Sequence, residues 1–293
     1  MPAFLFGEQE MRVCDRLAYT LRTAGANDAA GQHRTRRAGD GFDFLDYRPY
    51  VPGDDVRRID WMVYARLREP YIRQLQHETL LYVHILVDVS SSMIPAETNR
   101  KLSLACQVAM GLALVALRAG DQVSLGVFSD ELEMLTRGQR GPAAFPSMLH
   151  RLRAVEPGGK TALADVSRSF LAQRLPAGLV IIISDFLCPA EIEDATRSFA
   201  RRSRLLAIQV LDQVDWGEGL GGPLHLTDAE TGRALEVYVT ERQLAEYQQR
   251  LRSYLQTVTR QVHRLGQGVL QVRTDEPWSM VAARVIREKS VFR

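Results

Sequence analysis

Three segments of this sequence carry oxygen-bearing side chains that could together bind a metal ion. The first set of these side chains follows an apolar run. In Val83–Met93 that run ends in Asp88-Val89-Ser90-Ser91-Ser92, so a carboxylate and two alternating hydroxyls follow a predicted strand. Mg²⁺ prefers oxygen ligands and keeps several bound waters, so this set suits it. On this segment alone the serines could equally cap a following helix, because serine is a preferred N-cap residue.

Two later segments repeat the chemistry. Paired glycines at 158 and 159 allow a tight loop that places Thr161 ahead of a helix, and the apolar strand at 179–184 ends in Asp185. Open α/β sheets bind ligands at the carboxyl ends of their strands. We therefore predict one site for Mg²⁺ or Mn²⁺, formed by Asp88, Ser90, Ser92, Thr161 and Asp185.

The elements around these segments alternate between strand and helix, as is typical of a doubly wound α/β fold with a mostly parallel sheet. Apolar runs predict strands at 80–88, 122–128, 179–184, 205–211 and 268–273. Leu132–Thr136 is expected to form an antiparallel edge strand. Helical periodicity predicts helices at 99–117, 142–152, 162–173, 189–201, 241–265 and 277–289.

The order of these segments resembles a known type of metal site. Asp88-x-Ser90-x-Ser92, then Thr161, then Asp185 is similar to the metal-ion-dependent adhesion site of von Willebrand factor A domains, and the resemblance covers most of 80–273. It implies that the two serines bind the ion directly and that at least one acid acts through water.

A second resemblance lies nearer the N-terminus. Tyr50-x-Pro-Gly-Asp-Asp-x-Arg-x-Ile-Asp-Trp61, followed by Ala65-Arg66, resembles the signature of a bacterial domain-of-unknown-function family, number fifty-eight in its series. Asp-x-Glu-Thr-Gly at 228–232 resembles the same family. Members carry a von Willebrand A-like domain directly downstream and are commonly encoded beside AAA+ ATPases of the MoxR type. The resemblance therefore implies such an ATPase as a partner.

These patterns predict two parts of the chain. Residues 1–78 contain a helix at 8–24 and an accessory segment whose strands, at 42–50 and 71–77, pair as a small sheet. Residues 79–293 form the von Willebrand A-like domain, with a β-hairpin insertion at about 212–240. Gly217–Gly222 spells Gly-x-Gly-x-x-Gly, but Pro223 and a strand follow it. No helix N-terminus is then available for a pyrophosphate, so we reject a dinucleotide site.

The composition is that of an ordinary globular chain. Hydrophobic residues make up 46%, charged residues 25%, and the net charge is +2, which gives no support for a nucleic-acid partner. The three cysteines, at 14, 106 and 188, are scattered, so we expect reduced thiols and a cytoplasmic location. We expect neither a signal peptide nor a transmembrane segment.

The predicted site favours binding over catalysis. None of the six histidines lies in a proposed ligand loop, and no Gly-x-Ser-x-Gly nucleophile motif is present. With two acids as ligands, Mg²⁺ is at most neutralised, so a partner's Asp or Glu can complete its coordination. We expect a non-enzymatic, Mg²⁺-dependent protein-interaction module, an adaptor for a MoxR-type ATPase that assembles or remodels a client complex. The alternative is a metal-dependent hydrolase of phosphoesterase type, because two acids at strand ends also occur in such enzymes.

Overall fold

Ten strands and eight α-helices are present in the described part of the chain. The computed structural model describes residues 4, 6–27, 43–76, 81–94, 100–188 and 190–287. The strands are β1 (Asp43–Pro49), β2 (Tyr71–Gln76), β3 (Tyr82–Asp88), β4 (Gln122–Phe128), β5 (Leu132–Arg140), β6 (Leu179–Ser184), β7 (Arg204–Leu211), β8 (Gly222–Thr227), β9 (Ala234–Val239) and β10 (Gly268–Arg273). The helices are α1 (Glu8–Asn27), α2 (Trp61–Leu67), α3 (Arg100–Ala119), α4 (Phe145–Arg153), α5 (Leu163–Ala172), α6 (Ile192–Ala200), α7 (Glu241–Arg264) and α8 (Trp278–Arg287).

The central sheet has six strands in the order β10-β7-β6-β3-β4-β5. All neighbouring pairs are parallel except β4 with β5, so β5 is the antiparallel edge strand that the sequence predicted. β5 is longer than predicted, because its pairing with β4 continues to Arg140 through two irregularities in register. The doubly wound, mostly parallel α/β fold is confirmed.

Helices cover both faces of this sheet, and the alternation of side chains along β3 shows why. Ile85 and Val87 pack in the same apolar cluster as residues of α3, α4 and α8, whereas Leu86 packs with residues of α5, α6 and α7. Successive side chains of a strand point to opposite faces, so a strand buried on both faces is a continuous apolar run. β6 is likewise buried along its whole length.

The chain divides into two compact units, Met1–Arg22 with Leu81–Arg293 and Thr23–Leu80. The predicted parts were 1–78 and 79–293, whereas here residues 1–22 group with the larger unit and the second break lies between residues 80 and 81. Cys14 Sγ lies 3.7 Å from the carbonyl oxygen of Gly111 on α3, and the Phe6 ring lies 5.5 Å from that of Trp278 on α8. Burial of these apolar side chains groups the start of α1 with the larger unit.

In the smaller unit, β1 and β2 form the predicted antiparallel pair. The aspartates before α2 have different roles. Asp55 caps only a single 3₁₀ turn, and Asp60 caps α2 by accepting hydrogen bonds from two backbone N–H groups of its first turn. Asp54 instead binds both terminal nitrogens of Arg48 at 2.6 Å.

α3 is 20 residues long and apolar enough, by length and composition alone, to cross a bilayer. We expected no transmembrane segment, and this criterion by itself does not identify one. In the structure, 78% of the most apolar 18-residue stretch of α3 is buried inside the protein, against the sheet and α8. A core helix of this kind passes the same test as a membrane span.

β8 and β9 form an isolated two-stranded sheet within the larger unit, where the insertion was predicted. Gly217, Gly219 and Gly222 before and at the start of β8 all have positive φ, and strand β8 follows them directly. The glycines therefore connect β7 to a hairpin and do not precede a helix. The arginines at 34, 36 and 37, part of a predicted loop, lie outside the described residues.

Replacing Gly111 by Ala tests the packing of α8 on α3. An added Cβ would lie 2.5 Å from the Trp278 ring, which is held against Phe6. We expect the variant to lose about 1–3 kcal/mol in free energy of unfolding, measured by urea titration, because overpacking strains a closed core. Where there is room for the added methyl group, replacing Gly by Ala inside a helix raises the free energy of unfolding by about 1 kcal/mol. A gain in stability would therefore contradict the packing described here.

Candidate metal and adhesion site

The two predicted acids lie at the ends of adjacent strands. β3 and β6 pair in parallel with Val87 opposite Ile183, so Asp88 and the Ser184-Asp185 pair follow side by side. Asp88 and Asp185 are 0% and 1% exposed. Burying two carboxylates is costly unless each is hydrogen-bonded or paired with a cation. The surroundings of the site should therefore contain those partners.

The Asp88 carboxylate is held by neutral donors. Its Oδ1 accepts the Ser90 backbone N–H at 2.9 Å, and its Oδ2 accepts the hydroxyl of Ser184 at 2.6 Å and that of Thr161 at 3.4 Å. Burial and then the negative charge of Asp185 raise the pKa of Asp88 to about 6, against these hydrogen bonds. No cationic side chain offsets its charge in these contacts.

The hydroxyls of the site contact one another rather than capping a helix. Ser90 precedes the 3₁₀ turn at Ser91–Met93 but makes no side-chain capping bond. Its Oγ lies 3.2 Å from Ser92 Oγ and 2.9 Å from Thr161 Oγ1. Of the two interpretations of the serines, this geometry favours the oxygen cluster.

The loop that carries Thr161 is fixed to the end of β3 by backbone hydrogen bonds. Gly158 N–H donates to Val89 O at 2.8 Å, and Ser91 N–H donates to Gly159 O at 3.0 Å. Gly159 has φ +84°, and an added Cβ would lie 3.0 Å from Ser129 Oγ. The paired glycines thus allow the close approach that brings Thr161 to the serines.

Asp185 has a different environment from Asp88. Its Oδ2 lies 3.0 Å from Nζ of Lys101, whose side chain is 4% exposed, and Lys101 also contacts Asp215 at 3.2 Å. Burial alone would lower the pKa of Lys101, but the attraction of Asp185 and Asp215 outweighs burial and raises that pKa above its usual value. Lys101 is therefore a buried cation bonded to one of the two predicted acids.

The backbone after Asp185 is also constrained. Phe186 has φ 51°, in the left-handed region that few non-glycine residues adopt. Its N–H donates to Ser184 Oγ, its carbonyl accepts the hydroxyl of Tyr254, and Gln209 donates to the Asp185 carbonyl. Unusual backbone conformations held by several partners are common at functional sites.

Sequence reasoning missed four residues of this region: Ser184, Lys101, Asp215 and Glu230. Ser184 could have been predicted from the sequence, because its hydroxyl directly precedes Asp185, the acid that follows β6. Lys101 is a charged residue at the start of a mostly apolar helix, and this position is itself a signal. Glu230, in the hairpin turn, accepts the Thr161 backbone N–H at 3.2 Å, and no local pattern predicts that contact.

Strand order, helix layers and these ligand loops define a doubly wound α/β protein with a hydroxyl-rich candidate cation site. Its sequence matches the model of the family described as "Protein of unknown function DUF58" over residues 46–256, which is more than half of the chain. The chain belongs to this family, as the Tyr50–Trp61 signature predicted. Uncharacterized protein Rv1480 of Mycobacterium tuberculosis and Mb1516 of Mycobacterium bovis are each 30% identical over 265 residues, which cover 88% of this chain and 83% of each relative.

Two solved structures align with this chain at low sequence identity. BatB from Bacteroides thetaiotaomicron aligns with a TM-score of 0.41 and 14% identity over 70% of this chain and 97% of its own. A von Willebrand factor type A protein from Catenulispora acidiphila aligns with a TM-score of 0.35 and 14% identity over 47% of this chain and 34% of its own. Neither TM-score reaches 0.5, so the fold assignment rests on the strand order and helix layers of this chain.

Replacing Lys101 by Met tests the role of the buried cation. The change leaves Asp185 and Asp215 without their ammonium partner, so we expect a loss of about 3–5 kcal/mol in free energy of unfolding, measured by urea titration. Arg100→Met, one residue earlier and exposed, is the matched control and should change stability by less than about 0.5 kcal/mol. Adding Asp185→Asn to Lys101→Met should recover part of the loss. Equal stability of Lys101→Met and wild type would contradict the pairing.

Proposed function

We propose that this protein is a non-enzymatic, Mg²⁺-dependent protein-interaction module. The observation that carries the proposal is the convergence of Asp88, Ser90, Ser92 and Thr161 at the carboxyl end of β3, with hydroxyl oxygens 2.9 and 3.2 Å apart. Three hydroxyls and one carboxylate are an oxygen-only donor set, which suits Mg²⁺ or Mn²⁺ and does not suit softer metals.

The residues present fit such a cation. Ser90 and Ser92 would hold it directly, as the adhesion-site resemblance implies, with Thr161 beside them and at least one of the acids acting through water. Within the described ranges, no group of three or more His, Cys, Asp or Glu side chains is arranged to hold a metal. A cation at this place therefore depends on hydroxyl ligands. When bound, it would supply a positive charge for recognition of a carboxylate.

The charges around the cluster support an acidic partner. Lys101 already neutralises part of the charge of Asp185, while Asp88 is bonded only to neutral groups. A divalent ion at the hydroxyls is then not neutralised by the nearby side chains. An Asp or Glu of a partner protein can complete its coordination by a charge-assisted contact.

The side chains near the cluster give less support to the hydrolase alternative. His84 lies four residues before Asp88 on β3, about 13 Å away at the rise of a strand. Burial, followed by the charge of Glu191, raises the pKa of the Cys188 thiol to about 12, so this thiol is a poor nucleophile at neutral pH. Neither group is suited to act as the base or nucleophile of a metal-assisted hydrolysis.

The partner in this proposal is a MoxR-type AAA+ ATPase, with which the protein assembles or remodels a client complex. Support comes from the Tyr50–Trp61 signature, whose family resemblance implies such an ATPase. In the smaller unit, the signature region also presents exposed apolar side chains, namely Val51, Val56, Trp61, Met62 and Leu67. Exposed apolar groups in one region are typical of surfaces that contact proteins.

Asp88→Asn tests the cation site. Asn keeps the shape of the side chain and removes the charge, so we expect Mg²⁺ binding, measured by calorimetry, to be lost. Because burial already favours the neutral form of Asp88, the free energy of unfolding should not fall below that of wild type by more than about 1 kcal/mol. Asp130→Asn, an exposed acid at the end of β4, is the control and should bind Mg²⁺ as wild type does. Unchanged Mg²⁺ binding by Asp88→Asn would reject the site.

Association with MoxR-type ATPases tests the partner. Wild type should co-purify with such an ATPase in the presence of Mg²⁺ and should not co-purify with it in the presence of a chelator. Asp185→Ala should weaken the association in Mg²⁺. Association that is insensitive to both chelator and mutation would reject the metal-bridged contact. Absence of association under every condition would reject the adaptor role. Turnover of generic phosphoester substrates in Mg²⁺, lost in Asp88→Asn, would favour the hydrolase instead.

A further inference from the structure

A carboxylate from the β8–β9 hairpin lies beside the candidate cation site. Oε1 of Glu230 accepts the backbone N–H of Thr161 at 3.2 Å, and Oγ1 of the same threonine lies 2.9 Å from Ser90 Oγ. Glu230 is 69 residues from Thr161 in sequence. The hairpin therefore places a negative charge next to the hydroxyls of Ser90, Ser92 and Thr161.

The turn that carries Glu230 is well ordered by its own hydrogen bonds. Oδ1 of Asp228 accepts the backbone N–H groups of Glu230 at 2.9 Å and of Thr231 at 2.7 Å. Gly232, with φ 69°, donates to the Asp228 carbonyl at 2.8 Å. These bonds fix the backbone of Glu230, so its carboxylate is presented from the tip of the hairpin.

The hairpin itself is attached loosely to the domain. Among the described strands, β8 and β9 pair with each other alone, and a two-stranded hairpin is marginally stable by itself. Its apolar side chains Leu226, Leu235 and Tyr238 are 42%, 60% and 68% exposed, so they contribute little to a core. The connection before it contains glycines in left-handed conformations. The contact between Glu230 and Thr161 is thus one that a competing group can displace.

We propose that Glu230 is an internal carboxylate of the cation site, and that an acidic side chain of the partner replaces it on binding. This inference rests on the proposed function and specifies the partner, which must present an Asp or Glu and must displace the hairpin tip. With or without the partner, a divalent ion held mainly by hydroxyls needs a further negative charge. Glu230 supplies it in the free protein, and the partner's acid supplies it in the complex. The partner binds only molecules in which Glu230 has left the site. Its apparent affinity is therefore its intrinsic affinity multiplied by the fraction of such molecules.

Calorimetry with Mg²⁺ alone tests the assignment in the full chain. Glu230→Ala and Glu230→Gln should each weaken Mg²⁺ binding by about 10-fold, the effect usual for a group that supports a metal site. Glu236→Gln removes the same charge from the exposed face of the same hairpin and should leave Mg²⁺ affinity unchanged. In wild type, Mg²⁺ should also slow hydrogen exchange across 222–239, and it should not do so in Glu230→Gln.

Acetate is the probe for carboxylate exchange. In Glu230→Ala, excess acetate should restore at least part of the lost Mg²⁺ affinity, relative to chloride at equal ionic strength, because it can enter where Glu230 was. Asp88→Asn should show no such recovery.

The outcomes separate this inference from the proposed function. If wild type binds Mg²⁺ and Asp88→Asn does not, equal affinity of Glu230→Ala and wild type overturns the role of Glu230 and leaves the proposed function standing. Failure of acetate to restore binding to a weakened Glu230→Ala variant overturns the exchange of carboxylates. Absence of Mg²⁺ binding by wild type rejects both.

Discussion

The parallel pairing of β3 with β6 is the constraint on which the site depends. Its register puts Val87 opposite Ile183, so the next residues, Asp88 and Ser184, meet through a hydrogen bond of 2.6 Å. A slip of one residue would exchange the two faces of the strand and separate these groups. Burial of β3 and β6 on both faces fixes this register, so the same apolar residues that build the core also position the polar cluster.

The two buried acids are stabilised in different ways, and the difference determines what the site can do. Asp185 is bonded to an ammonium group that it shares with Asp215, so its charge is largely satisfied within the protein. Asp88 is bonded to hydroxyl and backbone donors, and burial followed by the charge of Asp185 raises its pKa to about 6. A divalent ion at the neighbouring hydroxyls would supply a positive charge close to Asp88. The hairpin acid Glu230 then lies where a second negative charge is useful.

The sequence predicted the strands of the sheet and the loops that follow β3 and β6, because each depends on local pattern. Runs such as Leu179–Ile183 mark strands buried on both faces, and an acid at the end of each run marks the sheet edge where ligands bind. The predicted site residues lie in one region, with Asp88, Ser90, Ser92 and Thr161 linked by hydrogen bonds and Asp185 on the adjacent strand.

The residues that were missed depend on tertiary contacts. Lys101 lies 84 residues from Asp185, and Asp215 lies in a segment without periodicity. The contact of Glu230 depends on where the hairpin folds back, which its own alternation does not encode. The prediction grouped α1 with the accessory segment because the two are close in sequence. Proximity in sequence does not reveal that the start of α1 packs against α3. Charge balance around a predicted site is therefore the part that the sequence pattern least determines.

Diffraction from crystals soaked in Mn²⁺ tests the central claim most directly, because the anomalous signal of Mn²⁺ locates the ion independently of any assumed ligands. The account predicts one strong peak within coordination distance of the Ser90 and Ser92 hydroxyls, beside Thr161, and its loss in crystals of Asp88→Asn. A peak elsewhere in the protein, or no peak in wild type, would contradict it.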